Sequence, residues 1–223
     1  FSFDTIRVKE IFQVGLPAAL EQVIFQIGIT AFLILVAYYG TEAYAAYGIG
    51  VQILSFSFVI GFGFSIAGAT LVGQHLGAQN KDQAKRAGWG AMRLSIISMT
   101  FFGVLITVFA EPLARYMIDN DEVVRLTVIF IWLLGSMQPL MAIEFSLGGA
   151  LRGAGDTKTP LAITLTCLLF IRVFLAVIFF LLDARIEIIF STLVADYIVK
   201  GFLYVARFRS DRWMNAIKSK EAG

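Results

Sequence analysis

Residues 160–182 read PLAITLTCLLFIRVFLAVIFFLL, a run of 23 positions in which only Arg172 is charged. A helix that crosses a bilayer needs about 20 mostly apolar residues, so this run predicts a membrane span. Working outward, five more apolar runs between polar breaks lie near 13–39, 43–72, 88–110, 124–149 and 186–206. The expected fold class is therefore all-α integral membrane, a six-transmembrane-helix bundle over 13–206. Residues 1–12 form a cytoplasmic lead or linker, and 207–223 a basic cytoplasmic tail.

Composition supports lipid as the solvent. The chain is 58% hydrophobic and 15% charged, with mean hydropathy +0.80, whereas soluble domains are about half apolar and a quarter charged. The net charge of +2 is spread over separate loops, so no basic patch follows a phosphate backbone and nucleic acid is not an expected partner. The lone Cys167 allows no intrachain disulfide framework. One histidine, His75, lies in a turn, and no His/Glu metal motif or nucleophile elbow accompanies it. An enzyme is not expected.

Loop charges set the orientation. Twelve basic residues fall on one side: Arg7, Lys9, Lys81, Lys85, Arg86, Arg152, Lys158, Arg207, Arg209, Arg212, Lys218 and Lys220. The other side has three, Arg115, Arg125 and Arg185, among many acids. Basic loops stay cytoplasmic, which places both termini in the cytoplasm; the membrane expected is a plasma membrane, of the bacterial inner type. The segment 111–118, EPLARYMI, mixes charge with apolar residues behind a proline and predicts a short interfacial helix on the outer surface.

Two cytoplasmic segments carry turn chemistry. Gly73-Gln74-His75-Leu76-Gly77-Ala78-Gln79-Asn80 and Gly149-Ala150-Leu151-Arg152-Gly153-Ala154-Gly155-Asp156 each end a helix. Glycine suits the left-handed position after the helix end, and Asn80 or Asp156 can cap the next element. Gly61, Gly63, Ala67, Gly68, Gly73, Gly77, Gly149 and Gly153 recur at spacings that permit close helix crossings.

Ionisable groups inside spans are rare and need partners. Glu21 lies about one turn inside Pro17, and Glu144 about seven residues before the Arg152 turn, some 10 Å into the hydrocarbon. Arg172, mid-span, calls for a carboxylate such as Glu144 or Asp196. Asp196 and Lys200, four apart, share a helix face as a self-neutralising pair. Arg93 reaches the cytoplasmic headgroups from one turn inside its span. Gln22, Gln26, Gln52 and Gln138 either line a cavity or bond between helices. Tyr47 and Met141, with Tyr38, Phe64 and Met137, either pack or present an adaptable surface to flat cations.

Gly15-Leu16-Pro17 with Glu21-Gln22, Gly40-Thr41 followed by Ala43-Tyr44-Ala45-Ala46, Gly73-Gln74-x-Leu76-Gly77-Ala78, and Leu151-Arg152-Gly153-Ala154-Gly155-Asp156-Thr157 together resemble the MATE family, the multidrug and toxic compound extrusion transporters. The resemblance runs the length of the chain. It implies the C-terminal lobe of a twelve-helix antiporter, with the N-terminal six-helix lobe of the same protein as missing partner, or a second copy in its place. The opening Phe1-Ser2-Phe3-Asp4, without methionine, fits a piece of a longer chain. The implied activity is export of an organic cation or drug-like compound in exchange for a proton or sodium ion, with no other cofactor. Glu21 and Glu144 are the acids in the first and fourth spans, where in several relatives an acid helps to bind the coupling ion, and both depart from the relatives' register. Where many relatives read Ala-Ala-His-Gln, this chain reads Ala45-Ala46-Tyr47-Gly48. Two alternatives are a lipid-linked saccharide flippase, which needs a strongly basic cavity, and a non-transporting scaffold subunit.

Overall fold

A computed structural model describes residues 5–215. The basic positions Lys218 and Lys220 lie outside the described residues, as do residues 1–4. Among the described residues the chain is helical without strands: α1 Thr5–Ala37, α2 Thr41–Gly77, α3 Lys81–Val108, α4 Ala110–Met117, α5 Asp121–Ser136, α6 Gln138–Gly153, α7 Lys158–Thr166, α8 Phe174–Leu181 and α9 Ile186–Arg209. Helix α1 begins inside the segment read as a lead. By length and composition five helical runs can cross a membrane, and six if the bent pair α5 and α6 is one span. Large apolar side chains such as Phe56, Val59, Phe101, Phe174 and Phe202 point outward, a surface that hydrocarbon and not water satisfies.

Two spans are not the plain helices that hydropathy predicts. Residues 124–149 read as one run, yet α5 and α6 meet at a 54° bend. The break falls at Met137, two residues before Pro139, whose ring removes a backbone donor and crowds the preceding turn. Between α7 and α8 the chain widens into a π-helical segment, Cys167–Val173. A short helix forms at Ala110–Met117, where the sequence predicts an interfacial one over 111–118.

The cores are set by helix crossings. Helices α2 and α6 touch backbone to backbone: a Cβ built on Gly149 would strike the Ser65 backbone, and one on Gly153 the Ala69 backbone. Only glycine permits that approach, which is how membrane helices gain contact without a hydrophobic driving force. One apolar core, including Phe32, Leu54, Phe130 and Phe190, lies toward the α1–α2 turn. A second, including Leu147, Leu151, Tyr204, Phe208 and Trp213, lies toward the α2–α3 and α6–α7 turns. Tyr39 ties the α1–α2 and α8–α9 turns, its hydroxyl donating to the Ala184 carbonyl at 2.9 Å. Burial and the nearby Asp183 carboxylate hold its phenol above the ordinary value.

The two turns bearing the repeated motif superpose bond for bond. Asn80 N–H donates to the His75 carbonyl and Asp156 N–H to Leu151, each at 2.9 Å. The left-handed position falls at Gln79 (φ 57°) in the first and at Gly155 (φ 78°) in the second, so Gly77 does not take the role its place after the apolar run suggests. Asn80 caps α3 by accepting from Gln83 N–H at 3.1 Å. Asp156 accepts from the Thr159 hydroxyl at 2.8 Å and pairs with Arg207 at 2.7 Å.

Candidate functional site

Three acids and three bases converge between α1, α6, α9 and the α7–α8 span. Glu21, on α1, is 8% exposed. Its two carboxylate oxygens accept from Arg152 at 2.7 and 3.2 Å, a forked pair of the kind that holds geometry as well as charge. The Thr164 hydroxyl adds a third bond at 3.2 Å.

A second, linear array starts where the π-helical segment turns Arg172 toward α9. Arg172 donates to Asp196 Oδ2 at 2.5 Å. Lys200 Nζ lies 3.3 Å from that same oxygen and 3.3 Å from Glu144 Oε1. Neither contact of Lys200 is aligned as a hydrogen bond. Arg172 and Lys200 each stand 5.5 Å from the Tyr197 ring, whose face favours cations. Counting Glu21 and Arg152, the six charges sum to zero. That balance lets them reside in hydrocarbon, where an isolated ion is expensive.

A cavity of about 120 Å³ joins the two groups, its wall including Glu21, Gln22, Glu144, Arg152, Thr164 and Tyr197. The two carboxylates are not held alike. Among the described residues Glu21 has three hydrogen bonds, while Glu144 has one unaligned contact and a side chain 20% exposed. A cation entering the cavity therefore competes with Arg152 for Glu21 or with Lys200 for Glu144, and the second exchange breaks fewer bonds. Among the described residues no three acidic, histidine or cysteine side chains converge on one metal-sized point.

Of the residues read from sequence, Glu21, Glu144 and Gln22 meet at this cavity. Arg172 takes Asp196 as its partner, and the pair Asp196–Lys200 is part of a longer array reaching Glu144. The remaining cavity candidates lie away from this cavity. Gln26 is exposed on α1. Tyr47 packs between the Phe32 and Phe130 rings, at 5.8 and 5.2 Å. Gln52 belongs to a separate apolar groove of about 660 Å³ between α2, α3 and α4. Met141 is buried against Met99 and Ala142. Apolar packing explains these, since a hydrophobic helix gives no periodicity that separates a cavity face from a core face.

Sequence reasoning missed Arg152, counting it with the loop charges. The eight-residue spacing from Glu144 keeps both on one side of a helix and was the available signal.

The chain matches the model of the MatE family over residues 17–178. It is 35% identical over 214 residues to the probable multidrug resistance protein NorM of Thermotoga maritima, an alignment covering 92% of this chain and 44% of that protein. The multidrug resistance protein NorM of Aliivibrio fischeri is 29% identical over 151 residues, covering 67% of this chain and 33% of its own. Among solved structures, the MATE transporter ClbM in complex with Rb+ superposes with TM-score 0.87 at 21% identity, over 95% of this chain and 50% of that one. The eukaryotic MATE transporter AtDTX14 gives 0.85 at 20% identity, over 100% and 51%. The chain thus spans under half the length of these curated relatives and about half that of the solved chains.

Proposed function

The chain belongs to the MatE family, and we propose that it serves as one lobe, the C-terminal one, of an exporter that expels drug-like organic compounds in exchange for a proton or sodium ion. The observation that carries this reading is the charge-balanced cavity in which Glu144 is held loosely by Lys200. A cation that takes Glu144 leaves Lys200 to Asp196, which Arg172 also holds, so the same side chains have a second arrangement, and ligands that favour different arrangements are coupled through them. Among the described residues only one guanidinium, Arg152, reaches the cavity wall, and it is committed to Glu21. That is a poor cradle for the pyrophosphate of a lipid-linked saccharide.

The test is efflux of a fluorescent organic cation by the full-length protein in cells lacking other multidrug exporters. Glu144→Gln keeps the shape and removes the charge that a cation would exchange against. It is expected to lower ion-driven efflux about tenfold or more, the scale of one lost charged contact at 1.4 kcal/mol per decade, with membrane insertion unchanged. Wild-type efflux by this variant removes Glu144 from coupling, and no efflux by the unsubstituted protein favours a scaffold role.

The same reading sets the lobe in the plasma membrane with its basic turns facing the cytoplasm. With native cysteines replaced, a cysteine at Asp119 is expected to react with an impermeant maleimide on intact cells, and one at Gln79 only after lysis. The opposite pattern inverts the topology.

A further inference from the structure

The first turns of α3 carry a groove of about 520 Å³ lined by Asp82, Lys85, Arg86, Trp89, Gly90 and Arg93. Helix α3 has 28 residues, about 42 Å at 1.5 Å per residue, against about 30 Å of hydrocarbon. Its far end is fixed by α4, whose amphipathic sequence starts at Ala110 and suits the interface. Counting back about 20 residues from Val108 puts the near boundary at Trp89, a residue enriched at that level. Arg93 then lies about 6 Å below the boundary. It is exposed, on the same face as Ile97 and Phe101.

A guanidinium at that depth needs a counter-charge. Lys85 is taken by Asp211 at 2.6 Å. Among the described residues neither Arg86 nor Arg93 has an ion-pair or hydrogen-bond partner, and Asp82 pairs with neither. Helical side chains lean toward the N-terminus, and a long arginine stem carries its head toward water, so Arg93 extends toward Arg86. Between them Gly90 leaves open floor, since a Cβ built there meets nothing within 4 Å.

We propose that this groove binds an anionic phospholipid, its phosphate held between Arg86 and Arg93 over Gly90. Two guanidiniums on one phosphodiester favour a headgroup without a cation of its own, and Asp82 at the mouth can accept from a glycerol hydroxyl, as in phosphatidylglycerol. Trp89 lies at the ester level. If the basic turns face the cytoplasm, the groove opens to the leaflet in which anionic lipid attracts juxtamembrane arginines.

Native mass spectrometry of the full-length transporter, titrated with dioctanoyl phosphatidylglycerol, dioctanoyl phosphatidylcholine or inorganic phosphate, tests this. Phosphatidylglycerol is expected to bind at least fivefold more weakly to Arg86→Gln/Arg93→Gln. Gly90→Leu, which fills the floor and leaves charge alone, is expected to do the same, with the weak phosphatidylcholine background unchanged. Arg86→Gln alone, at an exposed position, keeps the test available if the double variant does not purify. The proposal is overturned by wild-type phosphatidylglycerol affinity in these variants, as when the rest of the longer protein covers the groove. Equal binding of phosphatidylcholine, or displacement by inorganic phosphate at matched concentration, also overturns it.

Discussion

Arg172→Met is expected to destabilise the lobe by about 3–5 kcal/mol, the usual consequence of removing one member of a buried ion pair. Arg172 is 4% exposed and Asp196 not at all. With the guanidinium gone, the array Asp196–Lys200–Glu144 carries one uncompensated negative charge, and Asp196, fully buried, loses its short partner. Removing Asp196 as well, in Arg172→Met/Asp196→Leu, leaves the neutral pair Lys200–Glu144 and is expected to recover most of the loss. Lys200→Met should be milder than Arg172→Met, because the stranded Glu144 borders the cavity and can be hydrated or protonated there. Thermal midpoints of the full-length protein in detergent, followed by size-exclusion fluorescence, give all four values. A single variant as stable as the parent would sink the interpretation of the array as a closed charge balance.

Gly149→Leu is expected to leave little monodisperse protein. The new side chain begins against the Ser65 backbone, which cannot change rotamer to make room. Over-packing in tight interiors costs about 1–3 kcal/mol even where side chains yield, so about 3 kcal/mol or more is expected at a contact that is backbone on both sides. Gly63→Ala on α2 is the control. A Cβ there meets nothing within 4 Å, and alanine in a helix interior is favoured over glycine by about 0.5–1 kcal/mol. Equal yields of the two variants would show that the α2–α6 crossing does not need its glycines.

Hydropathy and composition made the six spans legible because lipid exposure is written locally, residue by residue. The caps at Asn80 and Asp156 were legible for the same reason: a side chain that bonds a backbone donor three positions on leaves its signature within one turn. The bend at Met137 was half legible, since Pro139 sits in an apolar run that tolerates it. The π-helical segment was not. One widened turn swings Arg172 from an arbitrary face toward Asp196, and no residue type in Cys167–Val173 demands it. The pair Asp196–Lys200 was legible from its spacing and Asp196 was one of two partners expected for Arg172, while the pairing of Glu21 required knowing that α1 lies beside α6 and α7. Hence Glu21 stood without Arg152, and nothing local set Tyr47, Gln52 and Met141 apart from Gln22, which does border the charged cavity.

The crossing of α2 with α6 has a mechanical side. Gly149 and Gly153 lock the second half of a broken span onto α2 along two turns, where neither helix can roll without driving main chain into main chain. Bending strain in that span is therefore not shared along its length. It gathers at Met137, beside a buried Gln138 whose amide atoms bond to nothing among the described residues. The span behaves as a welded rod with a single elbow, and Glu144 rides on the welded arm.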